Sequence, residues 1–154
     1  MQQFIDNLPL IMTILGIGLS ILLSGIGSAK GATMIGKAAA ALISEQPEKF
    51  GQSLVLQMMS ASQGLYGFIV GFLIFMNIGD GSGLTFITAL RCLGAGTLMG
   101  LTGYLTAIQQ SITATAGIQI LAKKPEHSTK GVLYSAMIET YAIFAFVISV
   151  LIVL

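Results

Sequence analysis

Four long apolar stretches dominate the pattern of hydrophobic and polar positions along the chain. They run approximately over residues 9–44, 50–78, 84–122 and 128–154. Each exceeds the ~20 residues that a helix needs to cross the hydrocarbon core of a membrane. Because lipid offers backbone groups no hydrogen-bond partners, such a stretch must be a helix or a strand of a closed barrel. The runs are continuous and lack the alternation of barrel strands, so the pattern predicts an all-α membrane protein with four transmembrane helices.

Three short polar segments, residues 45–49, 79–83 and 123–127, separate the four spans. The middle segment is rich in glycine and is typical of a turn. The first and third contain Pro47 and Pro125, each followed by glutamate. Since proline cannot continue a helix, we expect the first and third spans to end just before these residues.

The chain repeats itself at an offset of 78 residues. The segment Leu15-Gly16-Ile17-Gly18 aligns with Leu93-Gly94-Ala95-Gly96, and Pro47-Glu48 aligns with Pro125-Glu126. We therefore predict a single membrane domain, residues 1–154, made of two tandem helical hairpins of the same orientation. The first repeat covers about residues 9–78 and the second about residues 84–154.

Side-chain size differs between the spans. The first and third are rich in glycine and other small residues, which let helices approach closely in lipid, whereas the second and fourth carry bulky phenylalanines. This contrast favours a concentric arrangement, with the thin first and third spans inside and the bulky spans outside. Many copies of such a chain can close a homo-oligomeric ring.

Charge is scarce and unevenly distributed. Only 8% of the residues are charged, against about 25% in an ordinary soluble domain, and 55% are hydrophobic. The net charge of +1 argues against nucleic acid as a partner. Basic residues gather in or beside the two Pro-Glu segments, at Lys49, Lys123, Lys124 and Lys130. The positive-inside rule therefore places these segments in the cytoplasm and both termini on the other side.

Glu139 is a carboxylate in the middle of the fourth span. It lies eleven residues beyond Ser128, which is roughly 16 Å at ~1.5 Å per residue. A carboxylate at that depth is costly unless it is protonated, paired or bound to a cation. The alternative, a structural hydrogen-bonded acid, is less usual than a functional one inside a membrane.

Polar residues occur at similar depth on two other spans. The second span carries Ser62, Gln63 and Tyr66, and the third carries a cluster of three. The members of that cluster are Gln109, Gln110 and Ser111. Amide oxygens, a hydroxyl and one carboxylate suit a hard monovalent cation such as Na⁺, whereas a proton needs only the carboxyl group. The set favours Na⁺, with H⁺ as the alternative, and Tyr66 is placed to donate a hydrogen bond to Glu139.

Three sequence segments carry a resemblance to a known family. They begin at Gln63, Gly117 and Glu139 and read QGLYGF, GIQILAKKPEH and ETYA. Over essentially its whole length the chain resembles the two-hairpin proteolipid subunits (the K or c subunits) of V-type rotary ATPases, especially the bacterial sodium-transporting kind.

The resemblance implies a rotor ring of identical subunits in the plasma membrane, turning against a stator subunit that presents an arginine. ATP hydrolysis in a separate soluble sector drives rotation through a central stalk, which would dock on the cytoplasmic turns. No organic cofactor is implied, and the chain has no phosphate loop of the GxxxxGK[ST] type, so we expect no catalytic activity of its own. The implied ion ligands are Glu139, Gln110, Gln63, Ser62 and the backbone carbonyl of Met59, with Tyr66 supporting Glu139.

The sequence departs from the sodium-type pattern at two places. Serine stands at position 62 where the pattern has threonine, which keeps the hydroxyl. Ser60-Ala61 stands where the pattern has Pro-Gly. Without a proline, the Met59 carbonyl can stay bonded to the Gln63 amide.

Two other functions compete with the rotor-ring hypothesis. One is a small independent exporter with one buried glutamate, and the other is a purely structural membrane protein.

Overall fold

The computed structural model describes residues 2–79 and 84–154, and the regular structure in these residues is helical. The described residues form five α-helices: α1 (Gln2–Glu45), α2 (Phe50–Met58), α3 (Ser62–Ile78), α4 (Phe86–Lys123) and α5 (Ser128–Val153). Four helical segments are long and apolar enough to cross a membrane, namely Ile5–Glu45, Pro47–Ile78, Phe86–Lys123 and Pro125–Val153. The predicted four-span all-α architecture is confirmed.

The two Pro-Glu turns have the same structure. α1 ends at Glu45 and α4 at Lys123, and a single turn of 3₁₀ helix follows each, Pro47–Lys49 and Pro125–His127. Proline begins each turn because it has no amide hydrogen to donate there. The prolines therefore end the preceding helices as predicted.

Two helices begin at other residues than the approximate starts of the predicted spans. α1 begins at Gln2 instead of residue 9, and Pro9 lies inside it. A proline this close to a helix start removes one backbone hydrogen bond, and the helix continues through it. α4 begins at Phe86, two residues later than predicted, because the Thr85 side chain caps the helix by accepting from the Thr88 amide at 3.2 Å. Of the predicted glycine-rich turn, residues 80–83 lie outside the described residues.

The second span is broken, which the sequence did not predict. α2 ends at Met58 and α3 begins at Ser62. Across the break the Met59 amide donates to Leu56 O at 3.3 Å, a three-residue spacing instead of the four of an α-helix. The Gly64 amide, which would bond to the Ser60 carbonyl in a continuous helix, donates instead to the Ser28 hydroxyl of α1 at 2.8 Å. The break therefore coincides with a tertiary contact, and residues 59–61 contain neither proline nor glycine.

α1 and α4 run parallel in close contact. A Cβ on Gly16 would lie 2.5 Å from the Cys92 carbonyl oxygen, and one on Gly27 would lie 2.6 Å from Tyr104 Cα. These pairs lie 76 and 77 residues apart, close to the 78-residue offset of the repeat. The two hairpins are thus side by side in the same orientation, as the repeat predicts.

The interior has two apolar clusters with a polar layer between them. One cluster joins α1, α2 and α4 near the Pro-Glu turns, and the other joins α3, α4 and α5 toward the opposite end. Between them, fully buried polar side chains come from the break and from three helices: Ser60, Gln63, Gln110, Ser111 and Ser135. Phe68, Phe75 and Phe144 point outward, each more than half exposed, whereas Phe146 of α5 packs against the interior.

Candidate functional site

Tyr66 and Glu139 meet across α3 and α5. The Tyr66 hydroxyl donates a hydrogen bond to Glu139 Oε1 at 2.8 Å. The Tyr66 ring stacks on Phe146 with its centroid 5.0 Å away, which holds the tyrosine in place. Both residues are half-buried. A carboxylate oxygen is thereby fixed in orientation at the middle of α5.

The two glutamines form a buried pair across α3 and α4. Gln63 Nε2 donates to Gln110 Oε1, and both side chains are fully buried. Ser62 lies at the edge of the pair, with its hydroxyl 3.4 Å from Gln63 Oε1. The Ser135 hydroxyl of α5 donates to the Gln110 backbone carbonyl at 3.2 Å, so α5 is also tied to this layer.

The helix break takes the carbonyl of Met59 out of the helical hydrogen-bond pattern. Its oxygen accepts a hydrogen bond from the Ser62 hydroxyl at 3.3 Å instead. Three backbone hydrogen bonds are described across the break. The amides of Met59, Ala61 and Leu65 donate to the carbonyls of Leu56, Met58 and Ala61, respectively. None of these bonds involves the Met59 carbonyl, so it is not held by the Gln63 amide as a continuous helix would require.

Two buried side chains in this layer, Ser60 and Gln110, have a polar atom without a hydrogen-bond partner among the described residues. Gln110 Nε2 makes no hydrogen bond among the described residues. Because amide oxygen and nitrogen are exchanged by a half-turn, both glutamine amides can be turned over together. Gln110 Nε2 then donates to Gln63 Oε1, and Gln63 Nε2 faces the Ser62 hydroxyl. The unpartnered atom becomes the Gln110 oxygen, which suits a cation, whereas an unpartnered N–H does not.

The charges in this region also fit a monovalent cation. Among residues 2–79 and 84–154, no lysine, arginine or histidine nitrogen comes within 4.0 Å of the Glu139 carboxylate. These residues also contain no group of three His, Cys, Asp or Glu side chains that could hold a multivalent metal. One carboxylate whose described hydrogen-bond partner is a neutral hydroxyl can balance the charge of one Na⁺.

Two sequence candidates point away from this region. Gln109 is exposed, about 100° around α4 from the buried Gln110. Ser111 is buried but donates to the Ala107 carbonyl of its own helix at 2.6 Å and faces Gly31 of α1. Sequence reasoning also missed Ser135, although it precedes Glu139 by four residues and therefore shares its helix face.

A sequence model of the family of ATP synthase C subunits matches the chain twice, over residues 15–74 and 93–152. The starts of the two matches are 78 residues apart, the offset of the internal repeat.

Three curated relatives span nearly the whole chain. The V-type sodium ATPase subunit K of Enterococcus hirae is 53% identical over 97% of this chain and 94% of its own length. The A-type ATP synthase subunit K of Methanocaldococcus jannaschii is 36% identical over 93% of this chain and 62% of its own length. The 16 kDa proteolipid of the V-type proton ATPase of Ovis aries is 24% identical over 90% of this chain and 88% of its own length.

Proposed function

The chain belongs to the family of ATP synthase C subunits, and we propose that it is a rotor-ring subunit of a bacterial V-type ATPase that carries Na⁺ on Glu139. The observation that carries this proposal is the polar layer around the helix break. Glu139 is held there by Tyr66, and the paired Gln63 and Gln110 lie beside Ser62. Glu139, Gln110, Gln63, Ser62 and the Met59 carbonyl are the proposed ion ligands, and Tyr66 supports Glu139.

Na⁺ accounts for this layer better than H⁺. A proton needs only one carboxyl group. In that case the two buried glutamine amides would have no part in ion binding, and the unpartnered polar atom of Gln110 would cost free energy without a function. A cation with oxygen ligands uses the freed Met59 carbonyl, the Ser62 hydroxyl and the Gln110 oxygen together. The 53% identity to a protein described as a sodium ATPase subunit supports the same ion.

The ion crosses the membrane as the ring turns. When a subunit passes the stator, the stator arginine weakens the contact between Glu139 and Na⁺, and the ion leaves to one aqueous side. The empty, charged site takes a new ion from the other side. The loaded site is neutral, which lowers the cost of its return to lipid.

The subunit itself supplies no catalysis. Rotation is driven by ATP hydrolysis in a separate soluble sector. The segment Gly31–Lys37 matches only part of a phosphate-loop pattern, because Ala38 stands where serine or threonine is needed. It also lies within α1, whose amides are already engaged in the helix and are not free to hold phosphates.

The remaining partners follow from position. Identical subunits form the ring, and the Pro-Glu turns face the cytoplasm with both termini on the other side of the plasma membrane. Glu48, Lys123 and Lys124 are exposed at these turns and are proposed to meet the central stalk. Lys49 is engaged instead with the end of α4, where its ammonium donates to the carbonyls of Leu121 and Ala122, each at 3.0 Å.

Carbodiimide labelling of Glu139 in the purified ring tests the proposal. At constant pH and ionic strength, we expect Na⁺ to slow labelling and K⁺ at the same concentration to leave it unchanged. Glu139→Gln should abolish both labelling and transport while the ring still forms. The cytoplasmic Glu126→Gln serves as the matched control and should behave like the unmodified protein.

Two outcomes would overturn parts of the proposal. If Na⁺ gave no protection, the ion would be H⁺, carried by the same ring. If the chain left the membrane in mild detergent as a dimer, the ring would be wrong and a small exporter would replace it.

A further inference from the structure

The break between α2 and α3 has no local cause. Residues 59–61 are Met-Ser-Ala, with neither proline nor glycine. Met59 has φ −57° and ψ −33°, and Ala61 has φ −83° and ψ −24°, so both remain in the helical region. The two helices are thus separated by changed hydrogen bonds and not by a sharp turn. Such a gap can close into a continuous helix with small changes of the backbone.

Ser28 of α1 holds the amide that closure would require. The Gly64 amide donates to Ser28 Oγ at 2.8 Å, and Ser28 is only 9% exposed. Gly64 permits this approach, because a Cβ there would lie 3.1 Å from the same oxygen. If the hydroxyl were lost, the Gly64 amide would be left without this partner unless it turned to the Ser60 carbonyl and closed the helix.

The second hairpin provides an internal comparison. At the 78-residue offset, Ser28 corresponds to Thr106 and Gly64 to Ala142. Thr106 donates to the Thr102 carbonyl of its own helix at 2.7 Å instead of bonding to α5. α5 runs without interruption from Ser128 to Val153. Where the cross-helix serine contact is missing, the corresponding helix is continuous.

We propose that Ser28 is a positioning residue for the ion site: its hydrogen bond to Gly64 keeps the helix open and so keeps the Met59 carbonyl available to Na⁺. Ser28 itself does not touch the ion. In a closed helix the Met59 carbonyl would accept the Gln63 amide, and one ion ligand would be lost. This inference rests on the proposed function.

The test is the Na⁺ concentration that gives half-maximal protection of Glu139 from carbodiimide in the purified ring. In Ser28→Ala we expect this concentration to rise about fivefold to tenfold, because one lost hydrogen bond shifts the site toward its closed form by that factor. The labelling rate without Na⁺ should not change, since Glu139 and Tyr66 are untouched. A loss of general helix packing would instead reduce the amount of ring.

Ser20→Ala is the matched control. The Ser20 hydroxyl also bonds α1 to α3, donating to the Gly67 carbonyl at 2.8 Å, but it does not contact the break. In Ser20→Ala we expect the Na⁺ concentration for half-maximal protection of Glu139 to change less than twofold. Gly64→Ala approaches the same contact from the other side and should weaken protection as Ser28→Ala does, which keeps the test available if Ser28→Ala fails to assemble.

The outcomes separate this inference from the function on which it rests. If Na⁺ does not protect the unmodified ring, the proposed ion is wrong whatever Ser28 does. Suppose instead that Na⁺ protects the unmodified ring. If Ser28→Ala and Gly64→Ala both need a Na⁺ concentration for half-maximal protection within twofold of the unmodified value, the role of Ser28 is refuted. It is also refuted if Ser20→Ala weakens protection as much as Ser28→Ala.

Discussion

Replacing Tyr66 by phenylalanine removes one hydrogen bond and little else. The Tyr66 hydroxyl donates to Glu139 Oε1 at 2.8 Å. The aromatic ring stacks on Phe146 at an interplanar angle of 29°, and phenylalanine keeps that contact. A change in ion binding in Tyr66→Phe therefore reports on how the carboxylate is held and not on packing.

The expected magnitude follows from the strength of this bond. A hydrogen bond to a charged group contributes ~1.5–3 kcal/mol. When the site is empty and faces an aqueous channel, water can take the place of the missing Tyr66 hydroxyl. We therefore expect only about half of this hydrogen-bond energy to appear as a change in Na⁺ affinity. A difference of ~1 kcal/mol weakens binding about fivefold.

Protection of Glu139 from carbodiimide measures this change. In Tyr66→Phe, about five times more Na⁺ should be needed for half-maximal protection. Tyr134→Phe is the control, because Tyr134 lies on α5 with its side chain 64% exposed and away from Glu139. If Tyr66→Phe bound Na⁺ as tightly as the unmodified ring, the tyrosine would not hold the carboxylate for the ion, and the reasoning from this hydrogen bond would fail.

Two further predictions concern the stability of the protein and the assembly of the ring. Lys49→Ala removes two charge-assisted hydrogen bonds from the end of α4. It should lower the free energy of unfolding by ~1–2 kcal/mol without changing the protection of Glu139 by Na⁺. An unaltered melting temperature of the ring would contradict this prediction. Gly96→Ala places a Cβ against the Gly16 carbonyl and should prevent ring assembly on a native gel, whereas Gly94→Ala, with nothing within 4 Å, should assemble normally. Equal yields of the two glycine variants would show that α1 and α4 do not need this contact.

The sequence predicted those features of the fold that have a local cause. The number of spans follows from apolar length, and the ends of α1 and α4 follow from the prolines at 47 and 125. The break at residues 59–61 could not be predicted, because no proline or glycine marks it and the contact that accompanies it, from the Gly64 amide to the Ser28 hydroxyl, joins two different helices. The approximate apolar stretch from residue 9 did not reveal that α1 begins at Gln2, because the residues before Pro9 are more polar and a helix can continue through a proline near its end.

For the candidate site, depth could be read from the sequence but direction could not. Counting residues from the two Pro-Glu turns placed Gln63, Gln110 and Glu139 at one level. The same count also placed Gln109 there, although adjacent residues on a helix point about 100° apart. Only the packing of α4 decides that Gln110 faces inward and Gln109 outward. Side-chain direction on a largely apolar helix is therefore the part of the site that sequence reasoning left open.

In the proposed ion site, the two hairpins contribute different groups. At the 78-residue offset, Glu139 corresponds to Ala61, in the segment where the first hairpin is broken. The first hairpin thus gives up the charge and contributes the break with the Ser62 hydroxyl and the Gln63 amide, whereas the second contributes the carboxylate on an unbroken helix. Two carboxylates at one level would repel each other in a medium of low dielectric and would need two cations to become neutral. With Glu139 as the single carboxylate at this level of the chain, each protomer of the proposed ring would carry one ion.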